Sequence, residues 1–190
     1  MINILLDELP QKVHGKKINS DFRISILFEL LMQDCNMTNE EKINQALILY
    51  YPDLKEIKNI EEAINDIVWF YKCGKEEKEK NINRTNSTKN TKQIYSYKFD
   101  AEYIYSAFME QYKIDLNSIE YLHWWKFKAL FMSLNENVLF SKIMSYRAIN
   151  LSQLKDKTMR KQYKKLKDLY RLPDMRSEEE KEEDFANALW

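Results

Sequence analysis

Few side chains in this sequence have the types that perform chemistry, and their spacing forms no recognised site. The metal-binding and nucleophilic candidates are two histidines, His14 and His123, and two cysteines, Cys35 and Cys73. A structural zinc site needs four such ligands at short, regular spacings, whereas these four residues are far apart. We therefore expect no metal site, and we interpret both cysteines as free thiols buried on apolar helix faces.

The sequence also predicts no catalytic arrangement. His123 stands inside a strongly aromatic stretch, where a packed histidine is more common than a general base. Carboxylate pairs such as Glu61 and Glu62 occupy solvated segments and lack the apolar pocket that shifts a pKa. A phosphate-binding loop needs several glycines, and the chain has only Gly15 and Gly74. We therefore predict a binding protein that is not an enzyme, with no cofactor and no small-molecule substrate.

The elements that would position a binding surface are predicted to be α-helices. Hydrophobic residues make up 44% of the chain and aromatic residues 13%, which is enough for a core. Two glycines and three prolines are too few for a turn-rich β protein. Lys+Arg and Asp+Glu both number 30, so the overall charge indicates neither nucleic acid nor a membrane surface as partner. No apolar run reaches the roughly 18 residues of a membrane span.

The sequence pattern divides the chain into four regions. Residues 1–74 are expected to form a small hairpin and helices, 75–96 a flexible linker rich in Lys and Asn, 97–173 a second helical region and 174–190 an acidic tail. The predicted fold class is therefore mainly α, with a small N-terminal β-hairpin. The hairpin turns at Gly15, and its exposed edge is a candidate element for self-association.

Capping residues mark the helix ends in the first region. The first helix is predicted to begin near Asp21, with Ser20 or Asn19 as its cap. Further signals predict two more helices. These signals are a capping box of Thr38 with Glu41, a start at Asn59 or Ile60, and a stop at Gly74.

The second helical region ends in a long amphipathic helix, predicted from about Ser152 to Arg171, with one basic face. Three interpretations of that basic face are open: a solvated surface, a contact with an acidic protein partner, and a contact with nucleic-acid phosphates. Earlier helices are predicted to begin near Asp100, Asp115 and Glu136. The basic face consists of Lys157, Arg160, Lys161, Lys164, Lys167 and Arg171.

The acidic tail follows Pro173 and ends in an apolar segment that includes Leu189 and Trp190. Two interpretations of the tail are open. It can fold back onto the basic helix, which would neutralise both segments. Alternatively, Leu189 and Trp190 are partner-binding residues that dock into a groove on another protein.

The stretch Asp115–Leu134 has apolar residues on nearly every side of a helical wheel. Such a helix is usually enclosed by its neighbours, so we predict that this stretch is the central helix of the domain. A sharper hypothesis makes part of its aromatic surface a docking site, because Trp and Tyr dominate interface hot spots. The candidate partner-binding residues are Trp124, Trp125, Phe127 and Phe131.

The same stretch carries a family resemblance, strongest over residues 97–147 and most specific at the paired tryptophans of Leu122–Phe127. The Asp21–Arg23 opening of the first helix, after a hairpin, is also similar. The other matching residues are Asp100, Tyr103, Ile104, Ala107, Phe108, Gln111, Tyr112, Ile114, Asp115, Leu116, Leu130, Phe131, Tyr146 and Arg147. With these residues the chain resembles the bacteriophage gene-product-fifteen family. Its members are small proteins encoded among the tail genes of long-tailed phages and prophages of Gram-positive bacteria.

The resemblance implies a role in tail assembly in the cytoplasm of the bacterial host. Genes of the family typically lie between those for the tail tube and the tape-measure protein. That position is characteristic of tail assembly chaperones, which coat the tape measure while the tube polymerises around it. The resemblance therefore implies the tape-measure protein as partner, together with self-association, and it supplies no catalytic residues.

Two other functions stay open. The basic face suits a small phage nucleic-acid-binding protein, whose affinity would fall steeply with salt. A structural tail component is the other alternative, and it would be retained in the purified particle.

Overall fold

The computed structural model describes residues 2–75 and 93–174, and over this part the protein is mainly α-helical with one small antiparallel hairpin. The predicted fold class is confirmed. Most of the predicted linker and nearly all of the acidic tail lie outside the described residues. In chain order, the elements are β1 (Lys12–Val13), β2 (Lys16–Lys17), α1 (Phe22–Gln33), α2 (Asn39–Tyr50), α3 (Ile60–Tyr71), α4 (Ala101–Tyr112), α5 (Trp124–Met132), α6 (Leu139–Ala148) and α7 (Lys157–Leu169).

The hairpin is smaller than a free-standing one and is held against α3. His14 and Gly15 form its turn with positive φ values of 46° and 81°, so the predicted turn is confirmed. Each strand has two residues, and a hairpin of this size needs other packing to persist. Ion pairs from β2 to α3 supply this support: Lys16 Nζ lies 2.9 Å from Asp66 Oδ2 and 3.0 Å from Glu62 Oε1.

Local capping explains where the first helices begin. The capping box of Thr38 and Glu41 is confirmed, because each side chain accepts a hydrogen bond from the backbone N–H of the other residue. Helix α3 begins at Ile60, as predicted, and Asn59 caps it. The predicted cap of α1 is wrong: Asp21 accepts from Arg23 N at 3.0 Å, one residue after the expected Ser20.

The predicted central helix is shorter than expected. The prediction that a single helix covers Asp115–Leu134 is wrong, since α5 spans only Trp124–Met132. Arg23 provides the physical reason: its Nη2 donates to Leu116 O at 3.0 Å and Ile119 O at 2.7 Å, two carbonyls that a helix would have used internally. The chain then runs extended, with Phe22 N donating to the carbonyl of Leu122 at 2.9 Å.

The last two helices also start later than predicted. Helix α6 begins at Leu139 instead of near Glu136. Helix α7 begins at Lys157 instead of Ser152, because the Asp156 carboxylate caps it by accepting from the backbone N–H groups of residues 158 and 159. A separate 3-10 turn occupies Leu151–Gln153.

The cysteines differ in exposure. Both are free thiols, but the expected burial is wrong for Cys35, which is exposed in the turn that follows α1. Cys73 is half-buried beyond the end of α3. Among the described residues, no helix combines the length and apolar character needed to cross a membrane.

A buried ion pair joins α4 to α6. Arg147 Nη1 and Nη2 lie 2.6 and 2.8 Å from the two carboxylate oxygens of Asp100, and their side chains are 7% and 1% exposed. Asp100 occupies the predicted cap position of α4, yet its carboxylate makes no cap bond there. It accepts instead from Ser96 N, while Arg147 also donates to Ile94 O and Tyr170 O. The pair therefore ties four segments together.

Replacing Arg147 by Met is expected to lower the free energy of unfolding by about 3–5 kcal/mol, because it leaves the Asp100 carboxylate buried without its partner. Urea denaturation followed by circular dichroism measures the loss. Lys142→Met, at an exposed position of α6, is the matched control and should change stability by no more than about 0.5 kcal/mol. Similar losses in the two variants would contradict a structural role for the pair.

Candidate functional site

The paired tryptophans at the start of α5 close the C-terminal end of α3. Trp124 Nε1 donates to the carbonyl of Tyr71 at 2.9 Å, and Trp125 Nε1 donates to that of Phe70 at 2.8 Å. Carbonyls in the last turn of a helix have no partner within that helix, and buried carbonyls need one from elsewhere. Trp124 provides such a partner for Tyr71 O, and Trp125 adds a second donor to Phe70 O, which also accepts from Cys73 N at 2.9 Å. The two tryptophans are 0% and 5% exposed.

The aromatic rings of α5 fill the core between the two helical regions. Phe127 stacks between Phe22 of α1 and Phe108 of α4, with ring centroids 4.8 and 5.0 Å away. Trp124 stacks on Tyr71 at 5.4 Å. These contacts bring α1, α3 and α4 around one helix, as expected for a central helix.

The burial of these four aromatic residues bears on both interpretations of them. Trp124, Trp125, Phe127 and Phe131 are all at most 5% exposed. Core packing therefore covers most of their faces, although Phe127 also forms part of the floor of an apolar groove beside α4. Their binding of a partner stays a prediction. The structure favours the alternative, in which the paired-tryptophan motif holds the fold together.

Gly74 allows the close approach of Trp125 to α3. Its φ is +65°, and a Cβ added there would lie 2.9 Å from Trp125 Cη2 and 3.2 Å from Trp69 Cζ2. A residue with a side chain at this position would be strained by the left-handed backbone conformation. Its Cβ would also clash with the two tryptophan rings. The prediction that Gly74 ends the third helix is confirmed, and the indole contact adds a second reason for glycine.

His123 is the N-terminal cap of α5 and not a residue within it. Its Nδ1 accepts from Trp125 N at 3.1 Å, so the ring proton is assigned to Nε2, which donates to Pro10 O at 3.1 Å. The side chain is 3% exposed, which confirms a packed histidine. Burial lowers the pKa of His123, and Lys126 acts in the same direction against the opposing effect of the Pro10 hydrogen bond.

A half-buried lysine lies against the aromatic core. Lys128 Nζ is 5.2 Å from the centroid of the Trp124 ring and within 6.0 Å of those of Tyr71 and Tyr95, a geometry that favours cation–π attraction. The Tyr71 hydroxyl donates to Glu29. Burial raises the pKa of the Tyr95 hydroxyl to about 12, so the Tyr95 hydroxyl stays protonated at neutral pH. No sequence pattern indicates this cluster of Lys128 with aromatic rings, because its members come from separate elements of the fold.

A second polar cluster lies where the hairpin meets α3. His14, Glu62 and Asp66 place one potential ligand atom each within 4.8 Å of one another. The Lys16 ammonium lies within 3.0 Å of both carboxylates and compensates part of their negative charge. The geometry therefore describes an ion-pair cluster that fastens the hairpin, and nothing in the sequence spacing indicates it.

An apolar groove of about 260 Å³ lies between α1, α4 and the turn at 115–118. Ala101 and Tyr105 lie on its exposed side, whereas Ile104 and Phe127 form its buried floor. The turn that replaces the predicted helix contributes Leu116 and Asn117, so sequence periodicity could not reveal the groove. Its lining residues are Ile26, Tyr97, Ala101, Ile104, Tyr105, Leu116, Asn117 and Phe127.

The basic face of α7 is largely open to solvent. Lys157, Lys161 and Lys164 are exposed. Two members are drawn into local structure: Arg160 donates to Leu154 O and Lys167 to Ile149 O. The predicted basic face is thus present, and its binding of a partner stays a prediction, as does that of Leu189 and Trp190, which lie outside the described residues.

A protein-family model described as "Bacteriophage Gp15 protein" matches residues 5–172. The chain belongs to this family. No curated protein and no solved structure matches it. The predicted resemblance to the Gp15 family is therefore confirmed. The chain is therefore a bacteriophage protein of the structural or assembly class.

Replacing Gly74 by Ala is expected to destabilise the Gp15 chain by at least about 1 kcal/mol more than replacing Gly15 by Ala. Both glycines have positive φ, but an added Cβ meets Trp125 at Gly74 and nothing within 4 Å at Gly15. Gly15→Ala thus reports backbone strain alone. Thermal and urea unfolding measure both losses, and equal losses would show that the Trp125 contact has no energetic role.

Protonation of His123 is expected to destabilise the fold as the pH falls. Burial lowers its folded-state pKa below the ordinary 6.5, so the unfolded chain binds a proton first. The neutral-histidine contribution is therefore fully present above the unfolded pKa of about 6.5 and is lost as the pH falls from there towards the lowered folded pKa. Chemical unfolding at several pH values between about 7.5 and 5 measures this slope.

The matched comparison uses two variants in which His14 is replaced. His14→Asn keeps a residue type that tolerates positive φ, and His14→Asn with His123→Asn also keeps a good N-cap acceptor. The slope should persist in the first variant and flatten in the second. Equal slopes would refute the assignment.

Proposed function

We propose that this protein is a non-enzymatic tail assembly chaperone that binds the tape-measure protein in the host cytoplasm while the tail tube polymerises. Membership of the bacteriophage Gp15 family is the observation that carries the proposal. The gene position implied by the resemblance supports the tape measure as the partner. A chaperone of this kind acts by binding, which agrees with the absence of a catalytic motif in the sequence.

The apolar groove between α1 and α4 is the surface that we assign to the partner. A tape-measure protein is long and helical with apolar patches, and amphipathic helices bind by laying an apolar face into such grooves. The lining has apolar side chains such as Ile26, Ile104 and Leu116. Asn117, which is exposed, adds a polar edge.

Ala101→Glu tests this assignment. Ala101 is the first residue of α4, where a carboxylate suits the helix dipole, so the variant should fold normally. Its charge would lie at the groove and should weaken binding of tape-measure fragments by at least about tenfold, or about 1.4 kcal/mol. Isothermal titration calorimetry with overlapping fragments from the same phage measures the affinity.

Asn137→Glu is the control, because it adds the same charge near the start of α6 at an exposed position outside the groove. Its affinity should equal that of the wild type. Unchanged binding in Ala101→Glu would refute the groove, and the lack of any binding fragment for the wild-type chain would refute the chaperone proposal.

The exposed part of the basic face favours nucleic-acid binding as a second candidate function. Lys157, Lys161 and Lys164 project from one side of α7, as phosphate contacts require. In that case the affinity for DNA or RNA would fall steeply with salt and depend on these lysines. A structural tail component would instead remain in purified particles.

A further inference from the structure

Helix α7 carries a strong excess of positive charge. Helix α7 contains six basic residues and one acidic residue. Within residues 2–75 and 93–174, Lys157, Lys161 and Lys164 form no salt bridge. Lys157 and Lys161 are also four residues apart, a spacing at which like charges destabilise a helix. A nearby acidic segment would therefore stabilise this helix.

The chain itself supplies such a segment directly after α7. Residues 175–190 contain six acidic and two basic side chains, and all six acidic residues fall between Glu178 and Asp184. The connection is short and begins at a fixed point, because Arg147 Nε donates to Tyr170 O at 2.6 Å. The acidic segment is therefore tethered at the C-terminal end of the helix whose charge it complements.

The lengths of the two segments are compatible. Helix α7 has 13 residues, which corresponds to about 20 Å. Residues 175–184 can span up to about 33 Å when extended. The tail can thus reverse after Pro173 and reach Lys157 at the far end of the helix.

We propose that residues 178–184 bind the exposed lysines of the basic face within the same chain, and that this contact shields α7 from polyanions. A short tether gives the tail an effective concentration in the millimolar range, which favours it over acidic partners in solution. The contact is electrostatic and solvent-exposed, so salt weakens it. This inference does not depend on binding of the tape-measure protein.

The test compares the full-length wild type with a full-length variant in which the tail is neutralised. The variant carries Glu178→Gln, Glu179→Gln, Glu180→Gln, Glu182→Gln, Glu183→Gln and Asp184→Asn. It keeps the tail length and the apolar end with Leu189 and Trp190. Amide chemical shifts from ¹H–¹⁵N NMR should differ at residues 157–165 in low salt and converge in high salt. No difference there, or differences confined to the apolar groove, would overturn the proposal.

A mixing experiment separates one chain from two. Unlabelled wild type is added to the ¹⁵N-labelled tail-neutralised variant. Shifts that stay unchanged support the contact within one chain, whereas a return towards the wild-type spectrum means that the tail of a second copy binds and overturns the proposal.

Binding of a single-stranded DNA oligonucleotide, followed by fluorescence anisotropy, tests the shielding. Neutralising the tail should raise the affinity about tenfold at low salt. That gain should vanish when Lys157→Gln, Lys161→Gln and Lys164→Gln are added. A gain that persists without these lysines would come from net charge alone and would contradict shielding of α7.

Discussion

The two indole N–H groups of α5 satisfy the end of α3, and the rest of the structure depends on this closure. Phe70 O and Tyr71 O accept from Trp125 and Trp124, which lie more than fifty residues further along the chain. Phe70 O also accepts from Cys73 N, whereas Tyr71 O relies on Trp124. A buried carbonyl without a partner costs about 1–3 kcal/mol, so the Trp124 bond helps fix how the two helical regions meet. Gly74 permits the approach, because any side chain there would meet Trp125.

Two arginines organise the segments that are not helical. Arg23 donates to two carbonyls of the turn before α5, and Arg147 donates to Ile94 O and Tyr170 O while pairing with Asp100. A guanidinium offers five donors in a fixed plane, which suits the support of several irregular backbone groups at once. The aspartate and arginine residues that belong to the family resemblance therefore have structural roles in this chain.

Because the paired-tryptophan motif is buried, contacts with partners fall to other surfaces of the protein. The four aromatic residues predicted as a docking surface are buried, and each lies against a ring from a neighbouring helix. The apolar groove beside α4 and the basic face of α7 are two accessible surfaces among the described residues. The two surfaces differ in chemistry, since one suits an apolar helix and the other an anionic segment, so they can serve different contacts.

The sequence by itself determined the helical fold class, the hairpin turn, the capping box of Thr38 and the stop at Gly74, because these follow from local backbone preferences. It also indicated the family, by a resemblance that is strongest over residues 97–147 and that the family match over residues 5–172 confirms. Only the tertiary structure decided that the stretch before Trp124 is a turn and an extended segment. Its apolar pattern suits a helix, but Arg23 from a distant part of the chain binds the carbonyls. Burial of the tryptophans and formation of the groove were likewise decided by packing between elements, which no local pattern encodes.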